Sequence, residues 1–102
     1  MMATIMVSRE LGGQVVTREH GKKLRELVES NLNSPPLVID FEGLQITSVS
    51  FFDEAFGILA REKGESVLSK IRLEHMDPFD QALVKDIVHS RSEEGRKRSS
   101  RS

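Results

Sequence analysis

Residues 37–60 constrain the fold of this 102-residue chain more than any other stretch, with the sequence LVIDFEGLQITSVSFFDEAFGILA. Residues 37–41 are nearly all apolar, which predicts a strand buried on both faces, at the centre of a sheet covered by helices. Residues 51–63 predict a helix, because its apolar residues have the i, i+3, i+4 and i+7 spacing of one helix face: Phe52, Ala55, Phe56 and Leu59. A buried strand that leads into an amphipathic helix indicates an α/β domain.

The N-terminal third of the chain predicts two strands and one helix. Residues 3–8 alternate apolar and polar side chains, residues 12–13 are the two glycines of a turn, and residues 14–16 form the returning strand. Thr17 is the predicted N-cap of a helix over residues 18–32. The apolar face of this helix has four members: Leu24, Leu27, Val28 and Leu32.

The last third adds an edge strand and a third helix. Residues 70–74 alternate apolar and charged side chains, which predicts an edge strand with one wet face. A helix is predicted to begin at Asp77-Pro78, because proline favours the first helical position. Its predicted apolar stripe consists of Phe79, Leu83 and Ile87, with Ala82, Val84 and Val88 beside it. The order β-β-α-β-α-β-α predicts a small α/β fold in which about four mixed strands are covered by about three helices.

Charge and composition divide the chain into a domain, residues 1–90, and a basic tail, residues 91–102. The domain carries 10 Lys+Arg and 14 Asp+Glu, a net charge of −4, whereas the tail carries five basic and two acidic residues. The tail has no apolar residue and is predicted to be disordered. An acidic domain without Trp or Tyr disfavours nucleic-acid binding, because phosphate contacts need clustered positive charge.

The absence of cysteine excludes disulfides, thiolate catalysis and cysteine-ligated zinc. No apolar run approaches the ~20 residues that a membrane span needs. The N-terminus also lacks the basic and apolar segments of a signal peptide. We therefore expect a cytoplasmic protein without a membrane partner.

A polar junction joins the predicted central strand to the helix over residues 51–63. Its polar members are Asp40, Glu42, Thr47, Ser48, Ser50, Asp53 and Glu54. Ser50 and Asp53 have the spacing of a capping box, which is the structural interpretation of both residues. The functional interpretation is a phosphate acceptor at Ser48 or Ser50, because a phosphate there adds about two negative charges at the surface.

Catalytic and metal chemistry have less support in this junction. Its four carboxylates offer oxygen ligands for Mg²⁺ or Ca²⁺, but their spacing matches no standard loop, so we predict no metal and no cofactor. The three histidines lack the spacing of a zinc site, and no nucleophile-elbow motif is present. We therefore expect a protein that is not an enzyme.

Residues 38–57 resemble the core of STAS-like domains, relatives of bacterial anti-sigma-factor antagonists, and in particular a STAS-like bacterial family of undefined function. The matching residues are Asp40, Phe41, Ser50, Phe51 and the run DEAFG at residues 53–57. A looser resemblance extends over residues 4–88 and implies a sheet of about four strands covered by helices. In the wider family, the loop before the helix carries a phosphorylatable serine and docks on a histidine-kinase-like ATPase.

The register of this resemblance places Ser50 at the phospho-acceptor position. The chain departs from the family's Asp-Ser-Ser-Gly motif at three positions, which hold Ser48, Val49 and Phe51. The resemblance therefore supports a partner-docking surface more strongly than it supports the phosphorylation chemistry.

These observations predict a non-enzymatic bacterial regulatory module that binds a protein partner through the loop and helix at residues 42–63. The partner expected from the resemblance is a histidine-kinase-like ATPase or another regulator, with control by phosphorylation of Ser50 or Ser48. The residues predicted to contact the partner are Glu42, Thr47, Ser48, Ser50, Phe51, Asp53 and Glu54. The alternative function is a small-ligand or nucleotide-binding domain that uses the polar ends of the strands.

Overall fold

Three short strands form a parallel sheet in the computed structural model, which describes residues 3–12, 17–33 and 36–99. The strands are β1 (Ala3–Met6), β2 (Leu37–Asp40) and β3 (Ile71–Glu74), in the spatial order β1-β2-β3. Their register aligns Ile5, Ile39 and Leu73 across the sheet. Strand β2 is therefore central, as its apolar sequence predicts, and β3 is an edge strand within the described residues.

Within the described residues four helices accompany this sheet, one more than the approximately three that the sequence predicts. The first two are α1 (Val7–Leu11) and α2 (Arg18–Asn31), and the last helix is Pro78–Ser99. The third, called the central helix here, spans residues 49–63 without a break and consists of Val49–Phe52, a π-helical turn at Asp53–Gly57 and Ile58–Lys63. A 3₁₀ segment, Glu65–Lys70, leads from the central helix into β3. No helix of the described residues combines the length and apolar character needed to span a membrane.

The α/β class is confirmed, but the predicted sheet of about four mixed strands is wrong for the described residues, where three parallel strands occur. Residues 7–11 were predicted to continue the first strand and turn, and they form α1 instead. Val7 and Leu11 lie one helical turn apart and are both buried. A helix this short has too few apolar positions to establish a period of 3.6 residues. The predicted strand at residues 14–16 lies outside the described residues.

The central helix is buried on most of its circumference. Its buried side chains include three aromatic rings, Phe51, Phe52 and Phe56, of which Phe52 lies 5.4 Å from Phe51 and 6.4 Å from Phe56 between ring centroids. Phe41, just after β2, approaches Phe52 edge-on. These contacts join the sheet to the helix, and full burial of each ring contributes about 1.5–3 kcal/mol.

The last helix packs through Val84 and Val88, beside the predicted stripe, whose members Leu83 and Ile87 are partly buried against the core. The predicted stripe included Phe79, but its side chain is 59% exposed. The buried stripe has members at every fourth residue: Asp80, Val84, Val88 and Ser92. The helix is rotated because the buried Asp80 carboxylate holds two backbone amides of a neighbouring loop. A stripe defined by apolar residues alone does not include that polar anchor.

The last helix also continues beyond residue 90, where the sequence predicted the start of a disordered tail. Residues 91–99 are helical, so the predicted boundary needs correction; residues 100–102 lie outside the described part. Arg91 forms a bidentate ion pair with Asp53 of the central helix. A Cβ atom at Gly95 would collide with the backbone carbonyl of Arg61, so the two helices nearly touch there. The contacts here are ionic and backbone-to-backbone, which the absence of apolar residues does not reveal.

Candidate functional site

A loop over residues 41–48 connects β2 to the central helix and is held by a buried carboxylate. Asp80, which is 1% exposed, accepts hydrogen bonds from the Ile46 amide at 2.8 Å and the Thr47 amide at 2.9 Å. Both carboxylate oxygens are used, one for each amide. A buried charge in this setting needs such partners to offset the loss of hydration. The loop is therefore fixed against the first turn of the last helix.

Thr47 has a backbone conformation that β-branched residues rarely adopt, with a φ of +47°. Such a conformation costs about 1–3 kcal/mol and persists where the surroundings determine it. The hydrogen bond from the Thr47 amide to Asp80 supplies that restraint. The Thr47 side chain itself is exposed. The loop thus presents Thr47 to solvent from a defined backbone position.

The N-cap of the central helix is Ser48, and the predicted capping box of Ser50 and Asp53 is wrong. The Ser48 hydroxyl oxygen accepts a hydrogen bond from the Phe51 amide at 3.2 Å. Ser50 lies inside the first helical turn and is exposed. Two serines at alternate positions make the helix start ambiguous in sequence, and the structure places it two residues earlier than predicted.

Asp53 connects the central helix to the last helix. Its carboxylate accepts two hydrogen bonds from Arg91, from Nε at 2.6 Å and from Nη2 at 2.7 Å. Both side chains are partly buried, and this two-point geometry is the strongest form of an arginine–carboxylate contact. Asp53 therefore joins two helices within the fold, and the positive charge of Arg91 compensates the negative charge of its carboxylate.

Glu54 has the same role on the opposite side, toward α2. Its side chain accepts hydrogen bonds from Arg18 at 2.8 Å and from Arg25 at 3.1 Å. Arg25 also donates to the Glu54 backbone carbonyl, which belongs to the π-helical turn. The Arg18 hydrogen bond, with the contribution of Arg25, holds the pKa of Glu54 below its usual value despite partial burial. Residues 53 and 54 thus join the central helix to both neighbouring helices.

The exposed part of the junction forms a small mixed surface, which we call the corner. It consists of Thr47, Val49, Ser50 and Phe79. Val49 and Phe79 are large apolar side chains that are 58% and 59% exposed. They belong to adjoining segments, because the amide of Thr47 bonds to Asp80, the residue after Phe79. Phe51, predicted to contact a partner, is fully buried and is not part of this surface.

Phe79 is a surface residue that its sequence pattern does not reveal. Its spacing from Leu83 and Ile87 predicts a core position, and only the burial of Asp80 reveals the rotation of the helix. The remaining predicted contact, Glu42, is exposed at the start of the loop. The Phe79 amide donates to the Asp77 carboxylate at 3.0 Å, but no local sequence signal distinguishes the exposed Phe79 from the buried Asp80 in this turn.

A second polar cluster lies where β2 and β3 end. It contains Asp40, Glu42 and His75, which offer ligand atoms that lie within 4.8 Å of one another. His75 follows β3 with a φ of +56°, and its Nδ1 lies 3.0 Å from Asp40 Oδ1. The Glu42 amide donates to the same Asp40 oxygen at 2.9 Å. In the described part of the chain, these three residues form the group whose ligand atoms lie close enough together for a metal ion to fit between them.

Both members of the Asp40–His75 pair have perturbed pKa values. The hydrogen bond to Asp40 raises the pKa of His75 above 6.5, with a smaller contribution from the Asp40 charge. Burial favours a higher pKa for Asp40, but the Glu42 amide and His75 outweigh it and the pKa falls below 3.8. The His75 contribution to stability is present below pH 6.5 and is lost as the pH rises through its folded-state pKa. The Asp40 contribution is present above pH 3.8 and is lost as the pH falls.

We expect NMR titration of the His75 imidazole to give a pKa above 6.5 that returns toward that value in Asp40→Asn, because the variant removes the charge and weakens the hydrogen bond. Glu62→Gln is the matched control, since it neutralises an exposed carboxylate of the central helix. The control should leave the titration of His75 unchanged. An unshifted His75 in the unmodified chain would contradict the pairing.

The sequence model of a family described as a STAS-like domain of unknown function (DUF4325) matches residues 20–81. No curated protein and no solved structure gives a significant match. The matched range includes most of α2, all of β2 and β3, the loop, the central helix and Asp80.

Proposed function

Because this chain belongs to the family of STAS-like domains of unknown function, we propose that it is a non-enzymatic regulatory module that binds a protein partner through the corner. The observation that carries this proposal is the exposure of Val49 and Phe79 on a backbone that Asp80 holds in place. A contiguous exposed apolar patch is typical of a contact surface, and these two side chains belong to segments that the hydrogen bond between Thr47 and Asp80 joins. Here it occurs at the loop where the wider STAS family docks its partners.

The corner has the properties of a preorganised binding surface. Its loop is fixed by two hydrogen bonds to Asp80 and by the Ser48 cap, so little conformational entropy is lost when a partner binds. The aromatic ring of Phe79 can fill an apolar pocket, and exposed aromatic anchors dominate the energy of many interfaces. The hydroxyl groups of Thr47 and Ser50 add polar contacts around it. The partner surface that fits is an apolar recess with a polar rim, on an ATPase-type kinase or another regulator.

Control by phosphorylation is best placed at Ser50. Its hydroxyl is exposed in the first turn of the central helix, where the helix dipole favours a phosphate. The nearby carboxylates of Asp53 and Glu54 are paired with arginines, which reduces their repulsion of an added negative charge. Ser48 is a poorer acceptor, because its oxygen already caps the helix. A phosphate at Ser50 would place about two negative charges beside Val49 and alter docking.

The test uses quantitative capture from a bacterial lysate followed by direct binding of the purified partner. Val49→Asp and Phe79→Asp should each weaken that binding by at least about tenfold, because a charge replaces an apolar anchor. Ser30→Asp is the control, because it adds the same charge at an exposed site on α2 that is far from the central helix. Gly21 is the residue of α2 that contacts the central helix, and Ser30 lies nine residues, or about 14 Å, further along α2. Ser50→Asp reports the effect of charge at the phosphorylation position.

The results distinguish specific binding of the partner at the corner from nonspecific binding to the protein surface. Loss in both corner variants with full binding by Ser30→Asp supports the proposal. Equal binding by all variants, or equal loss in the control, would overturn it. Circular dichroism of each variant establishes that the fold is retained, which the exposure of Val49 and Phe79 leads us to expect.

A further inference from the structure

We propose that Asp40, Glu42 and His75 form a binding site for a divalent transition-metal ion of the zinc type. The site lies at the carboxyl ends of two adjacent parallel strands, outside the corner. It differs in composition from the all-oxygen set that the sequence offered. Asp53 and Glu54 of that set are paired with arginines, and an imidazole takes their place beside Asp40.

The fold brings the three side chains together in a defined way. Asp40 and Glu74 are aligned in the register of β2 and β3, so His75 follows immediately beside the end of β2. The left-handed backbone of His75 directs its imidazole back to Asp40. Glu42 lies two residues beyond Asp40, and its own amide bonds to the Asp40 carboxylate. The ligands thus come from two strand ends that the sheet holds side by side.

The spacing of the ligand atoms is close to what a tetrahedral ion needs. Zinc bonds of 2.0–2.1 Å to nitrogen and oxygen place neighbouring ligand atoms about 3.3 Å apart. Asp40 Oδ1 and His75 Nδ1 are already 3.0 Å apart, and all three ligand atoms lie within 4.8 Å. Rotation of the exposed Glu42 side chain closes the remaining distance. Three protein ligands leave the fourth position for water.

The chemistry of the donors selects the class of ion. One imidazole nitrogen and two carboxylates suit zinc and its neighbours in the first transition series better than Mg²⁺ or Ca²⁺, which prefer oxygen alone. Zinc binds an unprotonated ring nitrogen, so the Nδ1 atom that faces Asp40 carries no proton in the metal complex.

The experiment is calorimetric titration of the tag-free chain with Zn²⁺ alone at pH 7.5, combined with NMR spectra of the three histidine side chains. We expect one site per chain, with the His75 resonances shifting first. His75→Ala and Glu42→Gln should each weaken binding by at least about tenfold. His20→Ala and His89→Ala are matched controls, because neither residue belongs to the cluster. Both controls should bind Zn²⁺ like the unmodified chain.

The Zn²⁺ titrations of the variants either support the site or overturn it. Selective loss of Zn²⁺ binding in the cluster variants, with the His75 resonances of the unmodified chain shifting first, supports the site. No saturable binding, or an equal loss in the His20 and His89 variants, would overturn it. Thermal unfolding without metal shows that each variant folds, and His75 and Glu42 are exposed enough for substitution. Zn²⁺ should raise the melting temperature of the unmodified chain but not that of His75→Ala, since only a native-state ligand stabilises.

Discussion

Asp80→Ala is expected to lower the free energy of unfolding by about 3 kcal/mol, because two charge-assisted hydrogen bonds are lost and two amides are left without acceptors. Asp80 is 1% exposed, and its oxygens accept from the amides of Ile46 and Thr47. Without its hydrogen bond to Asp80, Thr47 is no longer held in its unfavourable positive-φ conformation. For a domain of this size the melting temperature should fall by more than about 10 °C. Urea unfolding and hydrogen exchange at Ile46 and Thr47 measure the effect.

Two further variants make this prediction specific. Asp80→Asn keeps the shape and one acceptor oxygen but turns its NH₂ group toward a backbone amide, so an intermediate loss is expected. Asp86→Ala changes an exposed aspartate on the same helix and should alter stability by less than about 0.5 kcal/mol. If Asp80→Ala were no more destabilising than Asp86→Ala, the loop would not depend on the buried carboxylate. In that case the rigid corner in the proposed function would also lose its basis.

The parts of the fold that sequence predicts well are those with a local physical signal. Strand β2 is a short apolar run, and Thr17 and Pro78 mark helix starts by their own backbone and hydrogen-bonding preferences. The Thr17 hydroxyl caps α2, and Pro78 begins the last helix. Each of these signals acts within one turn of chain, so no knowledge of the tertiary fold is needed.

The errors arise where a distant residue decides the local structure. Asp80 and Thr47 are 33 residues apart, and nothing near either one shows that they bond. That contact rotates the last helix, exposes Phe79 and buries a charge that would ordinarily face water. Arg91 likewise joins the fold through Asp53, 38 residues earlier, in a segment without apolar side chains. The periodicity of apolar residues indicates which apolar side chains are buried, but it gives no information on buried polar contacts such as these.

The candidate site follows the same division. The position of the junction and the exposure of Ser50 could be predicted, because they depend on where a strand ends and a helix begins. The pairing of Asp53 and Glu54 with arginines, which removes both carboxylates from the exposed surface, could not be predicted. It depends on Arg91, Arg18 and Arg25 from two other helices. His75 joins Asp40 only through the register of β2 and β3.

Gly21→Ala is expected to destabilise the domain by about 2 kcal/mol, although alanine is the better helix former by about 1 kcal/mol. Gly21 lies in α2 where that helix crosses the start of the central helix. A Cβ atom there would collide with the carbonyl oxygen of Phe51 and come within 2.9 Å of the Glu54 Cβ. The nearest obstacle is backbone, which cannot rotate away as a side chain can. The helices must separate, which also strains the contacts of Arg18 and Arg25 with Glu54.

The sign of the Gly21→Ala effect therefore reports how closely α2 and the central helix approach. Lys23→Ala is the control, because it alters an exposed side chain two residues away and should change stability by less than about 0.5 kcal/mol. Urea unfolding of both variants measures the difference. A stabilisation by Gly21→Ala would mean that helix propensity outweighs packing, and that α2 does not contact the Phe51 carbonyl. The central helix would then be held by its ion pairs and aromatic contacts alone, and its first turn, which carries Val49 and Ser50, would be free to move relative to α2.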